Sequence, residues 1–285
     1  MAAEILKSVI RTTVPRPVRN WLRSPSRSAI WLWDAAAFSF GAKRTLSLFP
    51  DWSLVCHPHF YKVVQHGQIA DPQQAEEFRN FAGHCSAGMF LFDIGAHFGI
   101  FSLAAAHFGG RAVAVDPSPT ATKMIATEAR LNGCSNSVQI LQAAVSDTNG
   151  QIGMLNSGVF SDGYFQFADA RSRSDLTRTQ AVTVDQMSLQ YGIPTHLKID
   201  VEGHEAAVLR GAHSTLAEAS PVLFLELHNE IVAAGGGDPA STLDEIAKLG
   251  YETFGIGGKP ISRQEILRAT ILRIVAIRKG SNASG

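Results

Sequence analysis

The chain has 285 residues, of which 45% are apolar and 18% charged, so it is long enough for one large domain with its own core. Lysine plus arginine and aspartate plus glutamate both number 25, and this balance gives no support for nucleic acid as a substrate. The three cysteines are odd in number and lack CxxC spacing, which argues against a disulfide framework and favours a reducing compartment.

The first 44 residues are basic. They contain eight lysines and arginines and two acids, a net charge of +6, with Trp21, Trp31 and Trp33 among them. Two interpretations stay open: a solvated helical extension whose tryptophans pack on the main domain, or a peripheral contact with an anionic membrane or an acidic glycolipid. Prolines interrupt the segment, so it cannot be one long amphipathic helix. We find no secretory signal and no apolar run of about 18 residues, and expect a cytoplasmic protein.

The chain is expected to divide at residue 70. Residues 1–70 are predicted to be a basic, partly helical extension in which residues 45–70 are irregular, and residues 71–285 to be the main domain. Asp71 and Pro72 predict the first helix of that domain, because aspartate caps helices and proline suits the first turn.

From residue 89 onward, short apolar runs alternate with amphipathic segments, which is typical of βαβ units and a parallel sheet. The predicted strands are Met89–Asp93, Arg111–Asp116, Val138–Ala144, His196–Asp200 and Val222–Leu227. The predicted helices are Ile100–Phe108, Thr120–Leu131, Glu205–Leu216 and Thr242–Leu249. An antiparallel pair at the sheet edge is predicted for Tyr251–Ile256 and Thr270–Ile277. The fold class is therefore α/β: a doubly wound, mostly parallel sheet with an antiparallel edge strand and an N-terminal helical extension.

The turn after the first of these strands is the first candidate site. The strand ends in Asp93, a tight turn holds Gly95 and Gly99, and a helix begins at once, so free backbone N–H groups can face a ligand. The loop lacks the GxGxxG pattern that cradles the pyrophosphate of a dinucleotide. A carboxylate before a short glycine turn suits a ligand with a cationic amino-acid end. We therefore assign Asp93, Gly95, His97 and Gly99 to the binding of S-adenosylmethionine.

Two more acids end the next two strands. Asp116 follows Gly99 by 17 residues, close to the spacing of roughly 20 at which a doubly wound fold brings a carboxylate to a ribose. Asp147 follows the third strand and is expected to meet the adenine amino group. Either acid alone would be an ordinary loop or capping residue. Three acids at three consecutive strand ends favour one cofactor site.

The fourth and fifth strands end in a second polar cluster. Asp200 and Glu202 are expected to point the same way, as are Glu226 and His228, because side chains alternate along a strand. We predict that His228 is the general base and that the three acids orient an acceptor hydroxyl. The alternative is that His228 is only a hydrogen-bonded loop histidine.

These motifs resemble, in order and spacing, those of the FkbM family of methyltransferases over roughly residues 89–230. The resemblance implies a class I methyltransferase fold, S-adenosylmethionine as donor, and an acceptor oxygen on a sugar, a polyketide-like small molecule or a lipid-linked glycan. The chain departs from the family at His97, where asparagine is more usual, and at Asp116, where glutamate is. The motifs that carry the resemblance are Asp93-Ile-Gly-Ala-His-Phe-Gly99, Asp116-Pro117, Thr183-Val-Asp185, Lys198-Ile-Asp-Val-Glu-Gly-His-Glu205 and Leu225-Glu226-Leu-His228.

The sequence also leaves other interpretations open. Cys56-His57-Pro58-His59 looks like half a metal site, but no matching Cys/His pair follows. The second cluster has the chemistry to bind a hard divalent ion, although paired acids also occur without one, and no metal is assigned. The rival functions are a nicotinamide-dependent oxidoreductase, disfavoured by the missing GxGxxG pattern, and a non-catalytic binding protein on the same fold.

Overall fold

The computed structural model describes residues 25–156, 165–167 and 177–280. The first elements are α1 (Pro25–Ser39), β1 (Arg44–Phe49), β2 (Trp52–Cys56), α2 (Pro58–Val64) and a π-helical turn, Gln65–Ile69. The helical extension is confirmed by α1, while residues 1–24 lie outside the described residues. The expectation that residues 45–70 are irregular is wrong. The hairpin β1–β2 forms because Leu46, Trp52 and Leu54 bury their side chains in the core of the main domain.

The main domain continues with alternating helices and strands: α3 (Pro72–His84), β3 (Phe90–Ile94), α4 (Ile100–His107), β4 (Arg111–Val115), α5 (Pro119–Leu131) and β5 (Val138–Leu141). A side sheet and one helix follow: β6 (Ala144–Val145), β7 (Gly150–Asn156), β8 (Phe165–Phe167), β9 (Thr177–Val182) and α6 (Val184–Tyr191). The last elements are β10 (His196–Ile199), α7 (Glu205–Arg210), α8 (His213–Ala219), β11 (Val222–Leu227), α9 (Asn229–Ala234), α10 (Ala240–Lys248), β12 (Tyr251–Gly255), α11 (Arg263–Arg268) and β13 (Leu272–Arg278).

The main sheet has seven strands in the order β12-β13-β11-β10-β3-β4-β5. The five strands from β11 to β5 are parallel, and β13 runs antiparallel to both of its neighbours. The predicted fold class and the predicted antiparallel pair at the edge are confirmed, with the antiparallel strand standing second from the edge.

Two predicted segments are divided in the structure. The strand predicted over Val138–Ala144 ends at Leu141, and the chain then joins the side sheet β6-β9-β7-β8. The helix predicted over Glu205–Leu216 breaks at Gly211 into α7 and α8. There the backbone lies against the side-sheet chain so closely that a β-carbon on Gly211 would be 2.1 Å from the carbonyl oxygen of Ser146.

Helices cover both faces of the main sheet, as in a doubly wound domain. One face packs against α3, α4 and α5 together with the hairpin β1–β2, and the other packs against α6, α7, α8 and α10. Because both faces are covered, the parallel strands are apolar along almost their whole length and leave polar residues to the strand ends. No helix within the described ranges has both the length and the apolar character needed to cross a membrane.

Candidate active site

A cavity opens at the carboxyl ends of the parallel strands, where doubly wound sheets bind ligands. Its empty volume is about 1190 Å³ including the open mouth. Eight of the ten residues proposed from the sequence line it, namely Asp93, Gly95, His97, Asp116, Asp200, Glu202, Glu226 and His228. The two sequence clusters therefore share one cavity.

The glycine turn presses against the end of the neighbouring strand. Gly95 has a φ of +77°, and a β-carbon there would lie 1.8 Å from the backbone oxygen of Asp200. Only glycine fits this contact without moving the backbone. Gly99 also has a left-handed conformation, but it starts α4 and packs on Ile125 instead of lining the cavity. Gly95 thus shapes the cavity wall, and Gly99 shapes the helix start.

Asp93 is buried below the glycine turn. Its Oδ2 atom accepts hydrogen bonds from the backbone N–H of Ser102 at 3.1 Å and from the Ser102 hydroxyl at 2.7 Å. Burial raises the pKa of Asp93 to about 6, although the hydrogen bonds from Ser102 act in the opposite direction. A cationic ligand in the cavity would favour the ionised carboxylate.

Asp116 joins the ends of β3 and β4. Its two carboxylate oxygens accept hydrogen bonds from the backbone N–H groups of His97, at 2.9 Å, and Ser118, at 2.8 Å. Burial raises the pKa of Asp116 to about 7 against the effect of these two bonds. Each oxygen retains a lone pair for a ligand hydroxyl. The side chain therefore both holds the glycine turn and faces the cavity.

His97 occupies the position at which the resemblance leads one to expect asparagine. Its backbone is left-handed, with a φ of +49°, and its ring stacks on Phe98 with the ring centroids 4.0 Å apart. Asparagine tolerates this backbone conformation better than most residues, and histidine is also enriched in it. The substitution therefore preserves the turn and replaces an amide by an imidazole at the cavity wall.

Asp147 is not among the residues that line the cavity. Its Oδ2 atom lies 2.9 Å from Nη2 of Arg210, and the two side chains form a partly exposed ion pair. Burial would raise the pKa of Asp147, but the hydrogen bond and the charge of Arg210 lower it below its ordinary value. Ala143, Ala144 and Val145 line the cavity at this strand end instead.

His228 lies at the end of β11, with 4% of its surface exposed. Its Nδ1 atom is 2.9 Å from Oε1 of Glu205. On the other side of the ring, Nε2 is 3.8 Å from carboxylate oxygens of both Asp200 and Glu202 and 3.9 Å from Glu226. Burial lowers the pKa of His228, but the hydrogen bond to Glu205 and the surrounding negative charges outweigh it and raise the pKa to about 9.

Glu202 reaches this cluster by an unusual backbone conformation. The strand β10 ends at Ile199, so simple alternation of side chains no longer applies beyond it. Glu202 has a φ of +51°, which turns its carboxylate toward His228. The pKa of Glu202 is raised, because the effect of burial outweighs the charge on His228, which lowers it.

A buried charge network forms the floor beside His228. Lys198 Nζ lies 3.2 Å from Glu77 Oε1, 3.7 Å from Asp200 and 3.9 Å from Glu226. Arg273 faces Glu226 across the antiparallel ladder, and its Nε lies 2.9 Å from the second oxygen of Glu77. Burial lowers the pKa of Lys198, but its carboxylate neighbours raise it above the ordinary value. Two fixed cations thus hold these carboxylates in place.

Among the described residues, one group of side chains has ligand atoms placed closely enough to bind a divalent ion. Asp200, Glu226 and His228 can each bring one ligand atom within 4.8 Å of the others. Lys198 and Arg273 already place positive charge beside two of these ligands, which disfavours a further cation. The Cys56-His57-Pro58-His59 motif has a structural explanation, because the His57 ring caps α2 by accepting the backbone N–H of His59.

Sequence reasoning missed the roles of four residues at this site: Glu77, Lys198, Glu205 and Arg273. A charged residue inside a buried apolar strand is a signal that could have identified Lys198 and Arg273. Nothing local distinguishes Glu77, which lies on the amphipathic helix α3. Thr183 and Asp185 of the family motif are structural: Thr183 caps α6, and Asp185 accepts hydrogen bonds from Thr215.

The chain is similar to one protein family and to several solved structures. The family model described as a methyltransferase FkbM domain matches residues 93–253. No match was found among curated proteins.

Similar solved structures include methyltransferase FkbM from Methylobacillus flagellatus KT, with 14% identity, a TM-score of 0.46 and coverage of 67% of this chain and 44% of that chain. The chain thus spans less than half the length of that relative. Another is the O-methyltransferase from Bacillus cereus in complex with SAH, with 12% identity, a TM-score of 0.44 and coverage of 95% and 96%.

Proposed function

Since the chain belongs to the FkbM methyltransferase family, we propose that it transfers a methyl group from S-adenosylmethionine to a hydroxyl oxygen of a small molecule. One observation carries the proposal. The acids at the ends of β3 and β4 and the histidine cluster at the ends of β10 and β11 open into the same cavity. Donor and acceptor can therefore meet there.

The described residues fit the donor. The glycine turn brings backbone close to the cavity, and Asp116 offers carboxylate lone pairs at the position expected for a ribose. The acids Asp93, Asp116 and Glu226 all have raised pKa values in this chain, because burial and neighbouring negative charge oppose their ionisation. A positively charged ligand would relieve that penalty, and S-adenosylmethionine carries a sulfonium and an ammonium group.

The donor supplies an activated methyl group, which leaves the protein the tasks of alignment and proton removal. We assign proton removal to Nε2 of His228, because Glu205 holds the opposite ring nitrogen and directs Nε2 into the cavity. Glu205 also stabilises the imidazolium that forms. Asp200, Glu202 and Glu226 surround Nε2 and are proposed to orient the acceptor hydroxyl.

The acceptor is proposed to be a hydroxyl on a sugar, a glycan, a lipid-linked glycan or a polyketide-like molecule. The test is incubation of the protein with methyl-labelled S-adenosylmethionine and fractionated cell extracts, followed by mass spectrometry. We expect label in an ether-linked methyl group of a small molecule. Calorimetry with S-adenosylmethionine and with NAD provides the control. Binding of NAD but not of S-adenosylmethionine would overturn the proposal in favour of an oxidoreductase.

A further inference from the structure

From Ile30 onward, where its side chains are described, the outer face of α1 is apolar, and the one charged residue, Asp34, points inward. Exposed fractions are 47% for Ile30, 42% for Leu32, 75% for Trp33 and 93% for Phe40, which directly follows the helix. Asp34 is the only charged residue between positions 30 and 42, and it is 2% exposed. A helix on the surface of a water-soluble domain ordinarily has the reverse arrangement, so this face is built for a partner.

The rotation of α1 is fixed by polar contacts of the buried Asp34 side chain. Asp34 Oδ1 lies 2.6 Å from Nζ of Lys62, and its Oδ2 lies 3.3 Å from Nδ1 of His59. Both partners belong to α2, whose last residues, Val63 and Val64, line the cavity. Turning the apolar face inward would move Asp34 outward and break both of these contacts. α2 therefore contacts α1 and also lines the cavity.

The sequence on both sides of the described part of α1 is basic. Lys43 and Arg44 follow the helix and are exposed, and residues 1–24 contain five lysines and arginines and one acid. A second copy of the chain would bring the same positive charge to the contact. An anionic lipid surface complements it, and tryptophan and phenylalanine beside basic residues suit the boundary between headgroups and acyl chains.

We propose that the outer face of α1 binds the surface of an anionic membrane. Trp33, Phe40 and Ile30 enter the interface, while the exposed Lys43 and Arg44 contact acidic headgroups. With α1 on the membrane, α2 places the cavity beside the membrane surface, where a lipid-linked or amphipathic acceptor can reach it; this assignment of the acceptor rests on the proposed function.

The test is sedimentation of the full chain with vesicles of phosphatidylcholine alone or of equal parts phosphatidylcholine and phosphatidylglycerol. We expect binding to the anionic vesicles and release by high salt, because screening weakens the headgroup contacts. The variant Trp33→Ser/Phe40→Ser should bind at least about tenfold more weakly. The matched control is Leu189→Ser/Ile193→Ser, since these side chains are 83% and 56% exposed on the main domain, and it should bind like the wild type.

Lys43→Gln/Arg44→Gln gives an independent variant that leaves the apolar face intact, and it should bind the anionic vesicles more weakly than the wild type. Absence of wild-type binding, equal binding to both vesicle types, or equal loss in the control variant would overturn the proposal. So would a wild-type dimer that Trp33→Ser/Phe40→Ser dissociates, because the face would then join two copies. Donor and acceptor are absent from these measurements, so failure of the proposed reaction leaves the result interpretable.

Discussion

Nδ1 of His228 lies 2.9 Å from Oε1 of Glu205, and both side chains are almost completely buried. Glu205 is itself held by the backbone N–H of Gly203, which lies 3.0 Å from the same oxygen. Because a carboxylate can only accept, this contact places a proton on Nδ1. It leaves Nε2 as the atom that can accept a proton in the cavity.

Glu205→Gln is expected to move the pH dependence of turnover to lower pH. The hydrogen bond and negative charge of Glu205 raise the pKa of His228 against the effect of burial. A general base acts when deprotonated, so wild-type turnover should rise above pH 7, and loss of the charge should shift that rise downward. Glu218→Gln, on an exposed position of α8, is the control. An unmoved profile in Glu205→Gln would contradict a positioning role for Glu205.

The ionisation of His228 is also expected to affect stability. Its pKa is raised from 6.5 to about 9 in the folded chain, so protonation stabilises the fold fully below pH 6.5 and this contribution is lost as pH rises to about 9. The free energy of unfolding of the wild type relative to His228→Gln should fall by roughly 3 kcal/mol across that interval. Urea unfolding at several pH values measures the difference. A difference that stays constant with pH would show that the surroundings do not raise the pKa of His228.

Gly95→Ala is expected to be severely destabilising. The added β-carbon would overlap the backbone oxygen of Asp200, which directly follows the buried strand β10 and is held by a hydrogen bond from its N–H to the Ile94 carbonyl. We expect a loss of about 3 kcal/mol or more in the free energy of unfolding. Gly133→Ala has a similar φ, +69°, but an open surrounding, and should lose only about 1–2 kcal/mol. Equal losses in chemical denaturation would contradict the close approach.

Asp116→Ala is expected to weaken binding of S-adenosylmethionine about 10- to 150-fold, because a charge-assisted hydrogen bond contributes about 1.5–3 kcal/mol. Asp147→Ala should leave the affinity within about twofold, since Asp147 pairs with Arg210 and does not line the cavity. Calorimetry on both variants separates the two strand-end acids. A larger loss in Asp147→Ala would restore the adenine contact expected from sequence and remove Asp116 from its role.

The main sheet could be predicted because buried parallel strands are continuous apolar runs with a polar residue at the end. β11 was predicted with its observed bounds, Val222–Leu227. The side sheet could not be predicted in the same way. β6 has only two residues and β9 is largely exposed, so neither is a continuous buried apolar run.

The cavity residues that follow strand ends, such as Asp93, Asp116 and His228, could be predicted from the sequence. The network beneath the cavity could not, because it depends on pairing between distant elements. Arg273 reaches Glu226 through the register of β11 and β13, and Glu77 reaches Lys198 through the packing of α3 on the sheet. Periodicity within one element carries no information about either contact.

The most direct test of the proposed chemistry is the turnover of His228→Ala measured as a function of pH, beside its affinity for S-adenosylmethionine. General-base catalysis contributes about 10²- to 10⁴-fold, so turnover should fall by that factor while the donor affinity stays nearly unchanged. The rise of the rate with pH should disappear in the variant, and chelator treatment should leave the wild-type rate unchanged. A loss of less than about fivefold with the same pH profile would contradict the account and transfer proton removal to Asp200 or, if the chelator abolishes the rate, to a bound ion.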